Sequence, residues 1–136
     1  MPLHRSDRIA GGLLVLTALA GFVFWDALPV EMAIHFGPGG EPDSYVSRPV
    51  GLVLAPAIGL ATIAFVRASI RADPTADTRV GAVAIFFVAG VVSYVHGLTL
   101  AYNLGSRFSM TTALVPVFAA AAVLVAWAVY RERISS

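Results

Sequence analysis

Cysteine is absent from the 136 residues. That excludes disulfide staples, thiolate zinc sites and cysteine nucleophiles. Charge is scarce too, at 12% of residues, against about a quarter in soluble domains. Nine basic and eight acidic residues leave a net charge of +1. No basic field exists to draw DNA or RNA, so nucleic acid is not an expected partner. Nothing resembles a nucleophile elbow or a phosphate-cradling loop, and Gly37, Gly39 and Gly40 read as turn residues. What fills the chain is apolar: 58% of it. A soluble domain of about 150 residues still leaves some 30% of its unfolded-state surface wet, and it could not hide this much apolar area. The composition points to one domain in a lipid bilayer.

The few charged residues are clustered, and the gaps between clusters carry the architecture. Uncharged runs cover 17 residues from Ile9 to Trp25, 18 from Pro49 to Val66, 27 from Val80 to Ser106 and 23 from Phe108 to Tyr130. A helix crossing the hydrocarbon needs about 20 apolar residues, with roughly 17–25 as the usual range. The reading is an all-α fold in one domain, 1–136. It is a four-helix transmembrane bundle with spans near 9–28, 49–68, 80–102 and 109–130 and a short extracytoplasmic flap at 29–48. Ala18-Leu19-Ala20 resembles a signal-peptidase site. The apolar stretch runs on through Trp25, so the first span is expected to stay uncleaved.

Arginines set the orientation. Seven fall at the N-terminus (Arg5, Arg8), in the middle loop (Arg67, Arg71, Arg79) and at the C-terminus (Arg131, Arg133), while the other two loops hold only Arg48 and Arg107. A multi-pass cell-membrane protein with both termini cytoplasmic is the expectation. The segment after Arg67 reads as a solvated cytoplasmic connector, with docking of a cytoplasmic regulator as the alternative. Gly51, Ala55 and Gly59 form a small-residue stripe on the second span. It suits bundle packing, or alternatively a homo-oligomer interface. Pro56 and Pro116 should kink the second and fourth spans.

The flap stands apart from the rest. Val30, Met32, Ile34 and Phe36 alternate with Glu31, Ala33 and His35, the two-residue period of a half-buried strand. Pro38, Gly39, Gly40 and Pro42 then call for a turn. A β-hairpin is the preferred reading. The competitor is a helix from Pro29, which would place Glu31 and His35 on one face at i, i+4.

The third span carries the other polar feature. Ser93, His96, Thr99 and Asn103 fall within one helical arc. His96 lies sixteen residues past Val80, roughly 24 Å along at about 1.5 Å per residue, in the outer part of the core. Polar groups at that depth face the bundle interior or a water-filled cavity. His35 and His96, joined by Asp43 or Asp26, are a candidate first shell for a divalent metal. The preferred alternative is structural: His35 bonds Asp43 within the flap, and His96 ties the flap to Asn103 and Ser93. A proton or substrate relay is the third option.

Leu28, Pro29, Glu31, Ile34, His35, Phe36, Gly40, Pro42, Asp43, Tyr45, Ser47 and Arg48 resemble the signature of the Sdp-type immunity-protein family, whose N-terminal domain is the domain of unknown function DUF1648. Ala33 departs from it where a second proline is usual, and Arg48 where lysine is. The resemblance implies a helix leading into an extracytoplasmic flap. It also implies a role in toxin immunity and signalling, with an external toxin peptide or lipid-like agent as partner beside the lipid bilayer. A non-enzymatic role is favoured. The alternatives are a metal-binding enzyme or small permease using the His35/His96 cavity, and a structural subunit of a larger complex.

Overall fold

The computed structural model describes residues 4–135. Four helices and one hairpin follow in the order α1 (Arg5–Phe22), β1 (Glu31–Phe36), β2 (Pro42–Ser47), α2 (Arg48–Ala72), α3 (Thr78–Asn103) and α4 (Met110–Ser135). Helices α2, α3 and α4 are long and apolar enough to cross a membrane. Helix α1 has 18 residues, about 27 Å at 1.5 Å per residue, and carries Arg5, Asp7 and Arg8 in its first turn.

Helix α1 stops at Phe22, short of the expected boundary at 28. The chain turns through a 3-10 segment, Trp25–Ala27, because Leu28 is drawn inward. There it joins Met32, Leu52 and Leu100 in an apolar cluster beneath the hairpin. A second cluster, Ala10, Leu14, Ile63, Ile85 and Ala89, holds α1, α2 and α3 together further along the bundle. The glycines of α2 sit at these contacts. A Cβ on Gly51 would lie 2.8 Å from Met32 Sδ, and one on Gly59 would lie 3.0 Å from Leu14 Cδ1 and 3.1 Å from Val92 Cγ1. The small-residue stripe therefore serves packing within the chain.

At the end opposite the hairpin, Arg67 corrects the sequence reading. It is no loop residue, since α2 runs on to Ala72, and its side chain is buried. Its guanidinium grips Asp7 of α1, with Nε–Oδ2 at 2.9 Å and Nη2–Oδ1 at 2.7 Å, and it also reaches Ser6 Oγ at 3.2 Å. A bidentate pair of this kind is geometrically specific. The signal missed in the sequence is that α1 supplies a carboxylate at the depth of α2's arginine. The connector proper is 73–77. Thr75 donates from its backbone N–H and its hydroxyl to Asp73 Oδ1.

Helix α4 is attached at its ends. Asp77 Oδ1 accepts from the backbone N–H of Arg79 at 2.8 Å and caps α3, while its Oδ2 accepts from Arg131 Nε of α4 at 2.7 Å. At the other end the Thr111 hydroxyl donates to Pro38 O at 3.1 Å, and the Tyr94 hydroxyl donates to Ala113 O at 2.7 Å. That carbonyl lies one turn before Pro116, where the proline ring disturbs the helical ladder. Met110 is the one α4 residue fully buried among those described.

Candidate functional site

The flap is an antiparallel hairpin, so the extended reading holds and the helix from Pro29 does not. Glu31 pairs with Ser47, Met32 with Val46 and Ala33 with Tyr45; beyond them His35 pairs with Ser44 and Phe36 with Pro42. One extra residue on each strand, Ile34 and then Asp43, produces two bulges that cancel in register. Simple alternation fails at this point. Met32 and Ala33 are both buried, while Ile34 and Phe36 are half-buried.

Asn103 supplies the reason. Its Oδ1 accepts from the Ala33 N–H at 2.8 Å, and its Nδ2 donates to Ala33 O at 2.9 Å and to Thr99 O at 2.8 Å. In an antiparallel ladder, alternate residues point their N–H and C=O away from the partner strand. The Arg48 N–H bonds Val30 O at 2.9 Å, which makes 30/48 a bonded pair and 33/45 an unbonded one. Ala33 thus turns both backbone groups toward α3, and the carboxamide meets them as a third strand would.

The hairpin is fastened at three levels. At its root Met32 fills the apolar cluster with Leu28, Leu52 and Leu100. Midway is the Asn103 clamp. At the tip, Gly37 N–H bonds Glu41 O and Gly40 N–H bonds Gly37 O. Gly40 has φ +82°, where a side chain is strained, and a Cβ there would lie 3.4 Å from Met110 N and Ser109 Oγ. Phe36 stands edge-on to Tyr102, ring centroids 4.9 Å apart. Arg107 covers the Tyr102 ring at 5.0 Å, and Arg48 covers Trp25 at the same distance while donating to Pro29 O.

The four candidate metal ligands are not brought together. His35 and Asp43 lie on the exposed hairpin, where His35 Nδ1 and Asp43 Oδ1 are 2.6 Å apart. That contact holds the Asp43 carboxyl below its ordinary value of 3.8. Asp26 is exposed in the 3-10 turn. His96 is 1% exposed inside the bundle. Its Nε2 would lie 3.2 Å from a Cβ on Gly21, with Leu52 and Leu100 alongside, and among the described residues neither ring nitrogen has a hydrogen-bond partner. Among the described residues no group of three or more His, Asp or Glu side chains is gathered as a metal shell.

Nor does His96 tie the flap to Asn103 and Ser93. Asn103 reaches the flap itself, and Ser93 Oγ meets Thr17 Oγ1 of α1 at 3.0 Å. Thr99 is buried and donates to Val95 O. The polar arc on α3 is therefore shared between separate neighbours: Ser93 with α1, Asn103 with β1, and His96 with apolar surroundings. A cavity of about 200 Å³ does open between the hairpin, α3 and α4, lined by His35, Phe36, Thr99, Met110 and Thr111 among others.

Residues 12–60 match the family model described as "Domain of unknown function (DUF1648)", less than half of the chain. The match runs from α1 through the hairpin into α2. No curated protein matches the chain, and no solved structure does.

Proposed function

We propose that the chain is a four-pass cell-membrane protein with both termini cytoplasmic, whose hairpin meets an external peptide or lipid-like agent in the manner of Sdp-type immunity and signalling proteins. The observation that carries this reading is the hairpin itself. It is the part of the chain that bears the resemblance, and it is held as a platform at root, middle and tip. On that platform His35, Asp43 and Tyr45 remain exposed. Helix α1 completes the fourth crossing when the Asp7–Arg67 pair shields its charged turn, since ionisable groups near a membrane core are tolerated when paired. The arginine distribution supports the orientation.

The test is genetic and direct. Cells lacking the gene are challenged with membrane-active peptides secreted by neighbouring strains, and transcription of adjacent genes is measured. Raised sensitivity, restored by the intact gene, is the expected result. Unchanged sensitivity together with unchanged transcription sinks the reading.

A second reading, a structural subunit of a larger membrane complex, draws on α4. No residue of its apolar core is fully buried within this chain, and Phe118, Val123 and Val125 are exposed. Co-purification of a stoichiometric partner that is lost on truncating α4 would favour it.

A further inference from the structure

The hairpin has two long edges, and they differ. The β1 edge is closed where Asn103 occupies both backbone groups of Ala33. Among the described residues the β2 edge has no strand neighbour: the sheet contains two strands only, and Asp43, Ser44, Tyr45 and Ser47 are exposed. The ladder geometry that turns Ala33 toward α3 turns its opposite number outward. Tyr45 and Ser47 belong to the unbonded pairs, so the Tyr45 N–H and C=O and the Ser47 N–H point away from β1. The Ser47 carbonyl is directed instead into the first turn of α2, for which Ser47 is the N-cap. Such an edge is a template for another strand.

Charge at this end is net negative, with Asp26, Glu31, Glu41 and Asp43 set against Arg48 and Arg107. Asp26, Glu31 and Glu41 are exposed without an ion-pair partner among the described residues, and Asp43 has only His35. Both nearby arginines are already engaged, Arg48 with Trp25 and Pro29, and Arg107 with Tyr102. Glu31 stands directly across the ladder from Ser47, which places a carboxylate beside the open edge. We infer that the β2 edge is a docking strand for an extended, cationic peptide segment, which adds a third strand against Tyr45 and Ser47 while its basic side chains meet Glu31 and its acidic neighbours. This deepens the hairpin's proposed role and rests on that reading for its biological setting.

Ser47 provides an unusually clean test. Its φ is −58°, which suits proline, its N–H takes no part in the β1–β2 ladder, and its side chain makes no cap bond. Ser47→Pro therefore blanks one edge donor while sparing the hairpin. The protein in phosphatidylcholine nanodiscs is titrated with a capped alternating Lys-Val hexapeptide, and with an equally charged peptide carrying proline for valine. The valine peptide is expected to bind and slow amide exchange at Tyr45 and Ser47. Ser47→Pro should weaken it about threefold to tenfold, the worth of one lost hydrogen bond, with Val46 amide protection unchanged. Glu31→Gln should weaken it and flatten its salt dependence. The proposal is overturned if the valine peptide does not bind, if the proline peptide binds equally well, or if Ser47→Pro binds undiminished. The binding is read without cells, so it is independent of the gene-deletion result. A strain that needs the gene for protection but is fully protected by the Ser47→Pro protein would overturn the strand edge and leave the immunity reading standing.

Discussion

Asn103 and Ala33 are joined by two hydrogen bonds, 2.8 and 2.9 Å, in which a side-chain amide stands in for a strand. This is the polar link that fixes the hairpin to α3. Asn103→Ala leaves a buried N–H and C=O unpaired, at a cost of about 1–3 kcal/mol each before relaxation. Faster exchange of the Ala33 amide, with α3 still helical, is the expected outcome. Unchanged exchange would mean that Met32 alone holds the strand.

The Asp7–Arg67 pair makes a sharper prediction. Arg67→Met strands a buried carboxylate and should destabilise the chain by about 3–5 kcal/mol, whereas Arg67→Met with Asp7→Leu should recover most of that loss. Unfolding in mixed micelles measures both. If the double variant is no better than the single one, the arginine acts through its packing and not through the pair.

His96 presents two ring nitrogens to an apolar neighbourhood. His96→Leu keeps the volume and removes the polar atoms, so it should raise stability by about 1–3 kcal/mol. A loss of stability would show that the imidazole has polar company in the membrane.

Two carboxylates outside the spans make the fold acid-sensitive. His35 holds the Asp43 carboxyl below 3.8, and the Arg131 bond does the same for Asp77. A carboxyl lowered on folding contributes its stabilisation fully above the unfolded value, and loses it as pH falls through the folded one. The hairpin and the α3–α4 anchor should therefore loosen below the ordinary carboxylate range. Carboxyl-carbon NMR follows each group, and Asp43→Asn should abolish the hairpin's share. A midpoint at or above 3.8 for Asp43 would contradict the His35 contact.

Glycine positions separate contact from open surface. Gly59→Ala drives a methyl against Leu14 and Val92, while a Cβ at Gly90 meets nothing within 4 Å. The first should cost about 1–3 kcal/mol by overpacking. The second should be neutral or gain up to about 1 kcal/mol of helix propensity. Equal effects would place α1 and α3 further from α2 than the structure has them.

Much was legible from one dimension. The charge gaps locate α2, α3 and α4 because long apolar runs can satisfy their backbone in lipid only as helices, and the Pro-Gly turn with its flanking alternation marks the hairpin. Burial of Arg67 was not legible, since a sequence gives an arginine the same standing in a loop or against a carboxylate sixty residues away. Nor was the burial of Ala33, because the Asn103 side chain that meets its backbone lies seventy residues on. The polar arc of α3 could be read as an arc. Its division among Thr17, Ala33 and an apolar pocket depends on which helix packs at each turn. Periodicity determines which side of an element is polar, through local geometry alone. Which partner that side meets is decided only when the chain folds, because burial and hydrogen bonding between distant segments are properties of the assembled bundle.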